Sequence, residues 1–168
     1  MSALALLASS TAPAGAADDL AGGNAPADCV LAAASVHRLP PLILVILLEV
    51  EGGTLGQVSR PNANGTVDIG PMQINQSWVP KVARHWGTSE AAAFAALRDR
   101  LCPNVEGGAW ILRQAIDEAD GDLWEGVGRY HSHDPARKGQ YLRQVLRQAL
   151  RLESSVEPTT RPNRKGTE

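Results

Sequence analysis

From Leu39 to Val50 the sequence is apolar apart from two prolines and Glu49, and it then breaks into Glu51-Gly52-Gly53. A run of roughly a dozen such residues is too short to cross a bilayer, which takes about 20, so it reads as a helix buried inside a folded domain. Pro40-Pro41 suits its first turn, where a missing N–H costs nothing. Gly52-Gly53 suits its end. The rest of the chain must therefore supply elements that cover this helix, and the sequence predicts mostly helices.

Pro26 to Val36 reads as a first helix preceding the apolar one. Thr54 to Ile74 changes texture: it is rich in Gly, Asn, Ser and Thr, with Asn64-Gly65 as a hairpin-turn signal and an alternation over Val67, Ile69, Met72 and Ile74 broken at Gly70-Pro71. That predicts a small twisted hairpin. Helices resume at Gln76 to His85, then from an N-cap at Thr88 to Leu101, where Cys102-Pro103 is a break. A further helix over Asn104 to Glu118 places Val105, Ala109, Leu112 and Ile116 on one face. Asp122 caps a turn into Trp124 to Tyr130. The last helix, Gln140 to Leu152, carries an apolar stripe of Leu142, Val145, Leu146, Ala149 and Leu150, with Arg143, Arg147 and Arg151 on its wet side. The fold class expected is α+β, mostly α, with a small β-hairpin beside a helical domain.

The 168 residues suit one domain with tails. Residues 1–24 read as a signal-like or unstructured leader: Ala3 to Ala8 is apolar and Ala14-Gly15-Ala16 resembles a cleavage site, although no positive residues precede it. The domain is expected over 25–153 and a polar tail over 154–168. A net charge of −2 and the absence of a dense basic stretch argue against nucleic acid. Cys29 and Cys102 form no C-x-x-C pair. In an exported protein they read as one structural disulfide joining the first helix to a late one, the alternative being two buried free thiols.

Glu49 and Glu51 are two residues apart, so on a helix they do not share a face. A carboxyl at the end of an apolar helix is desolvated, and it also sits at the negative end of the helix dipole. Both effects raise its pKa, as a general acid near neutral pH requires. The opposing reading is a pair of surface residues on a fraying helix end.

Val50-Glu51-Gly52-Gly53, the run from Asn62-Ala63-Asn64-Gly65 through Asp68-Ile69-Gly70-Pro71-Met72-Gln73-Ile74-Asn75, and Trp78 together resemble the soluble lytic transglycosylase family. The similarity is greatest to its small accessory members in secretion and conjugation machines, which carry E-S-G followed by N-x-N-G-x-x-D-I-G-x-M-Q-I-N. Cys29, Cys102-Pro103-Asn104-Val105 and Gly126-Val127-Gly128-Arg129-Tyr130-His131-Ser132 extend it over most of the domain. The resemblance implies a lysozyme-like fold and cleavage of the N-acetylmuramic acid to N-acetylglucosamine bond of peptidoglycan, leaving a 1,6-anhydro end. Its single acid/base would be Glu51 rather than Glu49. Gln73 and Asn75 would contact the sugar by hydrogen bonds, Met72 by packing, and Tyr130 would approach Glu51 and orient it. The implied setting is the periplasm of a Gram-negative envelope, with glycan strands and secretion or conjugation components as partners, as a monomer and without stable membrane insertion. Gly52 departs from the family's serine, removing a hydroxyl that could hold the carboxylate.

Asp68 reads as a turn cap before a second catalytic carboxylate. His37, His85, His131 and His133 lack further ligands at metal spacing, so neither a metal nor another cofactor is expected. Trp78, Trp86, Trp110 and Trp124 read mainly as core, and Gly107-Gly108 as a close helix contact. Two alternatives to the lytic reaction stand beside it: hydrolysis as in lysozymes, and a non-catalytic adaptor that binds peptidoglycan.

Overall fold

A computed structural model describes residues 26–156, and the leader and most of the tail lie outside them. Seven helices enclose a minimal sheet: α1 Pro26–His37, α2 Pro41–Glu51, β1 Asp68–Ile69, β2 Ile74–Asn75, α3 Val79–Trp86, α4 Glu90–Asp99, α5 Leu101–Asp117, α6 Leu123–His131 and α7 Pro135–Val156. The class is α+β and mostly α. No described helix is long and apolar enough to cross a membrane.

The apolar run does become an interior helix. Leu44 and Leu47 of α2 are wholly buried, with Ile43 and Ile46 nearly so. Gly52 stops it in the left-handed region at φ +59, where its N–H reaches the Leu48 carbonyl. Helix α5 is the central strut, packed mainly against α1 and α6. Its predicted face of Val105, Ala109, Leu112 and Ile116 is buried. Gly107 and Gly108 let Leu97 and Met72 approach the α5 backbone, since a Cβ at either would collide with those side chains. Cys29 and Cys102 form a disulfide that ties α1 to α5.

Several boundaries differ from the sequence reading. The strands pair around Gly70 to Gln73, in register Asp68 with Asn75 and Ile69 with Ile74. Asn64-Gly65 instead closes the loop between Ser59 and Asp68, with a lone bridge from Val58 to Ile69. The cap of α4 is Ser89 rather than Thr88, its side chain accepting from the Ala92 N–H. Pro103 breaks nothing. The break falls at Arg100, which is extended, and Pro103 sits in the first turn of α5, where its missing N–H has no intrahelical partner to lose. Helix α7 begins earlier and ends later than expected. Its buried stripe is Tyr141 and Val145 flanked by half-buried Leu142, Ala149 and Leu152, whereas Leu146 and Leu150 are exposed. Two successive apolar pairs made the stripe look wider than the groove the helix lies in.

Candidate active site

A cleft of about 850 Å³ opens between the loop-and-hairpin segment 62–78 on one side and α5, α6 and the start of α7 on the other. Glu51 reaches it from the last residue of α2. Glu49 is exposed elsewhere, so the helical phase separates the two carboxylates as their spacing required.

The Tyr141 hydroxyl donates to Oε1 of Glu51 at 2.5 Å. Burial is the main influence on this carboxyl and pushes its pKa up to about 7. The Tyr141 hydrogen bond opposes the rise, and the negative charge of Asp68 adds to it. A carboxyl poised near neutrality can be present in both its acid and base forms at working pH. Tyr141 is itself buried, and burial together with the Glu51 charge holds its phenol well above the ordinary value, so it stays a donor. The ring of His131 stacks on Tyr141 at 4.4 Å and lines the same cleft. Desolvation lowers the His131 pKa, and the Arg137 charge acts in the same direction.

The turn facing Glu51 is held from behind. Asn104 is fully buried on α5, where its carbonyl oxygen accepts the Met72 N–H and its amide donates to the carbonyls of Ile69 and Leu97. The Tyr130 hydroxyl donates to the Met72 carbonyl at 2.9 Å. Gln73 adopts φ +46, a left-handed conformation uncommon outside glycine, and its amide donates to the Gly70 carbonyl. Gly53 lies directly against this turn: a Cβ there would overlap the Gly70 carbonyl oxygen and crowd Nε2 of Gln73. The two glycines after Glu51 thus serve different ends, Gly52 the helix stop and Gly53 the close approach.

The structure brings Glu51, Gln73, Asn75 and Tyr130 to one cleft. The role expected of Met72 needs correction, and Tyr130 and Asn75, which do line the cleft near Glu51, have partners the sequence did not show. Met72 is fully buried against Gly108, so its side chain packs in the core and cannot meet a sugar; its backbone is what the site uses. Tyr130 holds the Met72 carbonyl and makes no hydrogen bond to Glu51, a role that falls to Tyr141. Asn75 spends its side chain locally: its amide donates to Thr66 and Asp68 and its oxygen caps the turn at Ser77. Asp68 accepts from Asn75 on one oxygen and Asn62 on the other, so it ties the cleft loop together and also faces the cleft.

Trp78 is half-buried and lines the cleft, with the Lys81 ammonium 4.3 Å above its ring. Trp124 is 51% exposed, contrary to the core reading. Tyr141 was not singled out from the sequence, in which the stripe of this helix reads as Leu142, Val145, Leu146, Ala149 and Leu150. Its one signal is its spacing four residues before Val145, which puts a hydroxyl on the same face as the apolar stripe. Asn104 was legible only as part of the Cys102-Pro103-Asn104-Val105 motif. Away from the cleft, His37 and His85 meet at Glu106, a grouping that the sequence separations concealed.

No protein-family model matches this chain. It is 29% identical over 139 residues to Protein IpgF of Shigella flexneri, an alignment covering 80% of this chain and 88% of that protein. Protein IpgF of Shigella sonnei aligns to the same extent.

Proposed function

We propose that the chain is a peptidoglycan lytic transglycosylase of lysozyme-like fold, in which Glu51 is the single acid and base. The observation that carries this reading is the state of Glu51: a desolvated carboxyl with a pKa near 7, at the mouth of a polar cleft and in contact with a buried phenol. The sequence resemblance supplies the substrate.

In the first step the protonated Glu51 gives its proton to the glycosidic oxygen as the bond from the anomeric carbon to that oxygen breaks. In the second the resulting carboxylate takes the proton of the muramic acid 6-hydroxyl as that oxygen bonds to the anomeric carbon. The product is a 1,6-anhydro ring, no water is consumed, and Glu51 ends protonated. Tyr141 stabilises the carboxylate stage by a short, charge-assisted hydrogen bond, the part a serine hydroxyl after the glutamate could otherwise take. Gln73, locked beside Gly53, offers the cleft a rigid side chain for sugar hydroxyls or amides. The cleft lining carries both signs of charge, Lys81, Arg129 and Arg137 beside Asp68 and Glu118, and Arg129 is paired with Glu125.

The setting follows from the same reading: export to the periplasm and local opening of the wall for an envelope-spanning secretion or conjugation machine. The Cys29–Cys102 disulfide supports an oxidising compartment.

Asp68 favours one second reading. It faces the same cleft and its charge acts on Glu51, so hydrolysis with Asp68 as the partner carboxylate would use the same groups. Mass spectrometry of digested sacculi separates the two. Anhydro ends, lighter by one water, support the lytic reaction, and reducing ends support hydrolysis. A Glu51→Gln variant that releases no muropeptides yet complements a deletion as well as wild type does would overturn both and leave a binding role.

A further inference from the structure

His37 at the end of α1, His85 on α3 and Glu106 on α5 converge at a point none of them shares with the cleft. Nε2 of His37 lies 2.8 Å from Oε1 of Glu106, and Nε2 of His85 lies 3.2 Å from the same oxygen. The three ligand atoms all fall within 4.8 Å of one another. We propose that His37, His85 and Glu106 form a binding site for a divalent transition-metal ion of the zinc type, pinning α1, α3 and α5 together.

The geometry is close to what such an ion requires. Zinc bonds of about 2.0 Å in a tetrahedron set ligand atoms roughly 3.3 Å apart. The two nitrogen–oxygen separations, 2.8 and 3.2 Å, lie at or below that spacing, so binding needs a small opening of the His37 contact and a modest closure between the two rings. Two imidazoles and one carboxylate are ligands zinc accepts, leaving a fourth position for solvent. That position is reachable: the His37 side chain is 7% exposed, while those of Glu106 and His85 are 28% and 31% exposed.

The surroundings also hold the ligands in place. The indole N–H of Trp86 donates to Oε2 of Glu106, the oxygen that faces neither histidine, and so orients the carboxylate as outer partners of metal ligands do. His85 stacks face to face on Trp110 at 4.6 Å, which limits its rotation. Cys102 precedes Glu106 by one helical turn, so the disulfide that fastens α1 to α5 fixes the same seam the ion would bridge.

The test uses the full chain without a histidine tag. Calorimetric titration with ZnCl2 measures stoichiometry, Co2+ absorption reports tetrahedral coordination, and thermal unfolding is followed with and without Zn2+. One ion per chain and a Tm rise of about 5–10 °C at roughly a hundredfold excess over Kd are expected. His85→Ala, the most exposed ligand, and Glu106→Gln should each weaken binding at least tenfold. The double variant His131→Ala/His133→Ala, which removes the other two histidines, should bind as wild type does. Absence of a thermal or calorimetric response in wild type would overturn the proposal and leave an ion-pair cluster. So would binding that survives His85→Ala or that disappears with His131 and His133. Circular dichroism of each variant separates lost ligation from lost folding.

Discussion

Replacing Tyr141 with phenylalanine isolates the hydrogen bond that favours the ionised form of Glu51 and holds its pKa down. The hydroxyl donates to the carboxylate at 2.5 Å, and Phe keeps the buried ring and its stack on His131 while removing the donor. Burial and the Asp68 charge, which both favour the protonated form, then act unopposed. A hydrogen bond to a charged group contributes about 1.5–3 kcal/mol net, and a pH unit corresponds to about 1.4 kcal/mol. The alkaline limb of kcat/KM, set by loss of the acid near pH 7, should therefore move up by about 1–2 pH units. The assay is release of soluble muropeptides from purified sacculi across pH 5 to about 10, with circular dichroism confirming the fold at each end. A limb that stays in place, or moves down, would refute the assignment of Tyr141 as the group that stabilises the carboxylate. A uniform loss of rate without a moved limb would reduce it to a packing residue.

Three further outcomes follow. The Glu51 pKa is raised from 4.5 to about 7 in the folded chain, so the native state binds more protons between those values. Stability is then greatest below the lower value and declines as pH rises through the upper one. Glu51→Gln removes that decline and should be more stable than wild type by about 2–3 kcal/mol at pH 8 and nearly equal at pH 4, measured by urea unfolding. The disulfide closes a loop between residues separated by 73 positions, so Cys29→Ser/Cys102→Ser should lose about 4 kcal/mol, read as a lower urea midpoint. Gly52→Ser introduces a hydroxyl after Glu51 but places a side chain at φ +59. It should cost about 1 kcal/mol, with no gain in kcat because Tyr141 already engages Glu51.

Local chemistry made much of this molecule legible in advance. An apolar run calls for burial, the prolines suit a first turn and the glycines directly after Glu51 suit a stop, so α2 and its end at Glu51 followed from composition and order. The face of α5 followed from a period of 3.6, and the phase difference between Glu49 and Glu51 from the same number. The strand register did not follow, because a strand of two residues has no periodicity to read and its turn was set by Asn104 and Tyr130 reaching in from other helices. Tertiary packing likewise decided which half of an over-wide apolar stripe on α7 faced inward, and so carried Tyr141 to Glu51. It also withdrew Met72 from the cleft and joined His37, His85 and Glu106. Each of those outcomes depends on contacts between residues distant in sequence, and separation along the chain holds no information about distance across a packed core. What the residues fixed alone was where an acid could sit; what surrounds that acid, and therefore its pKa, belongs to the fold.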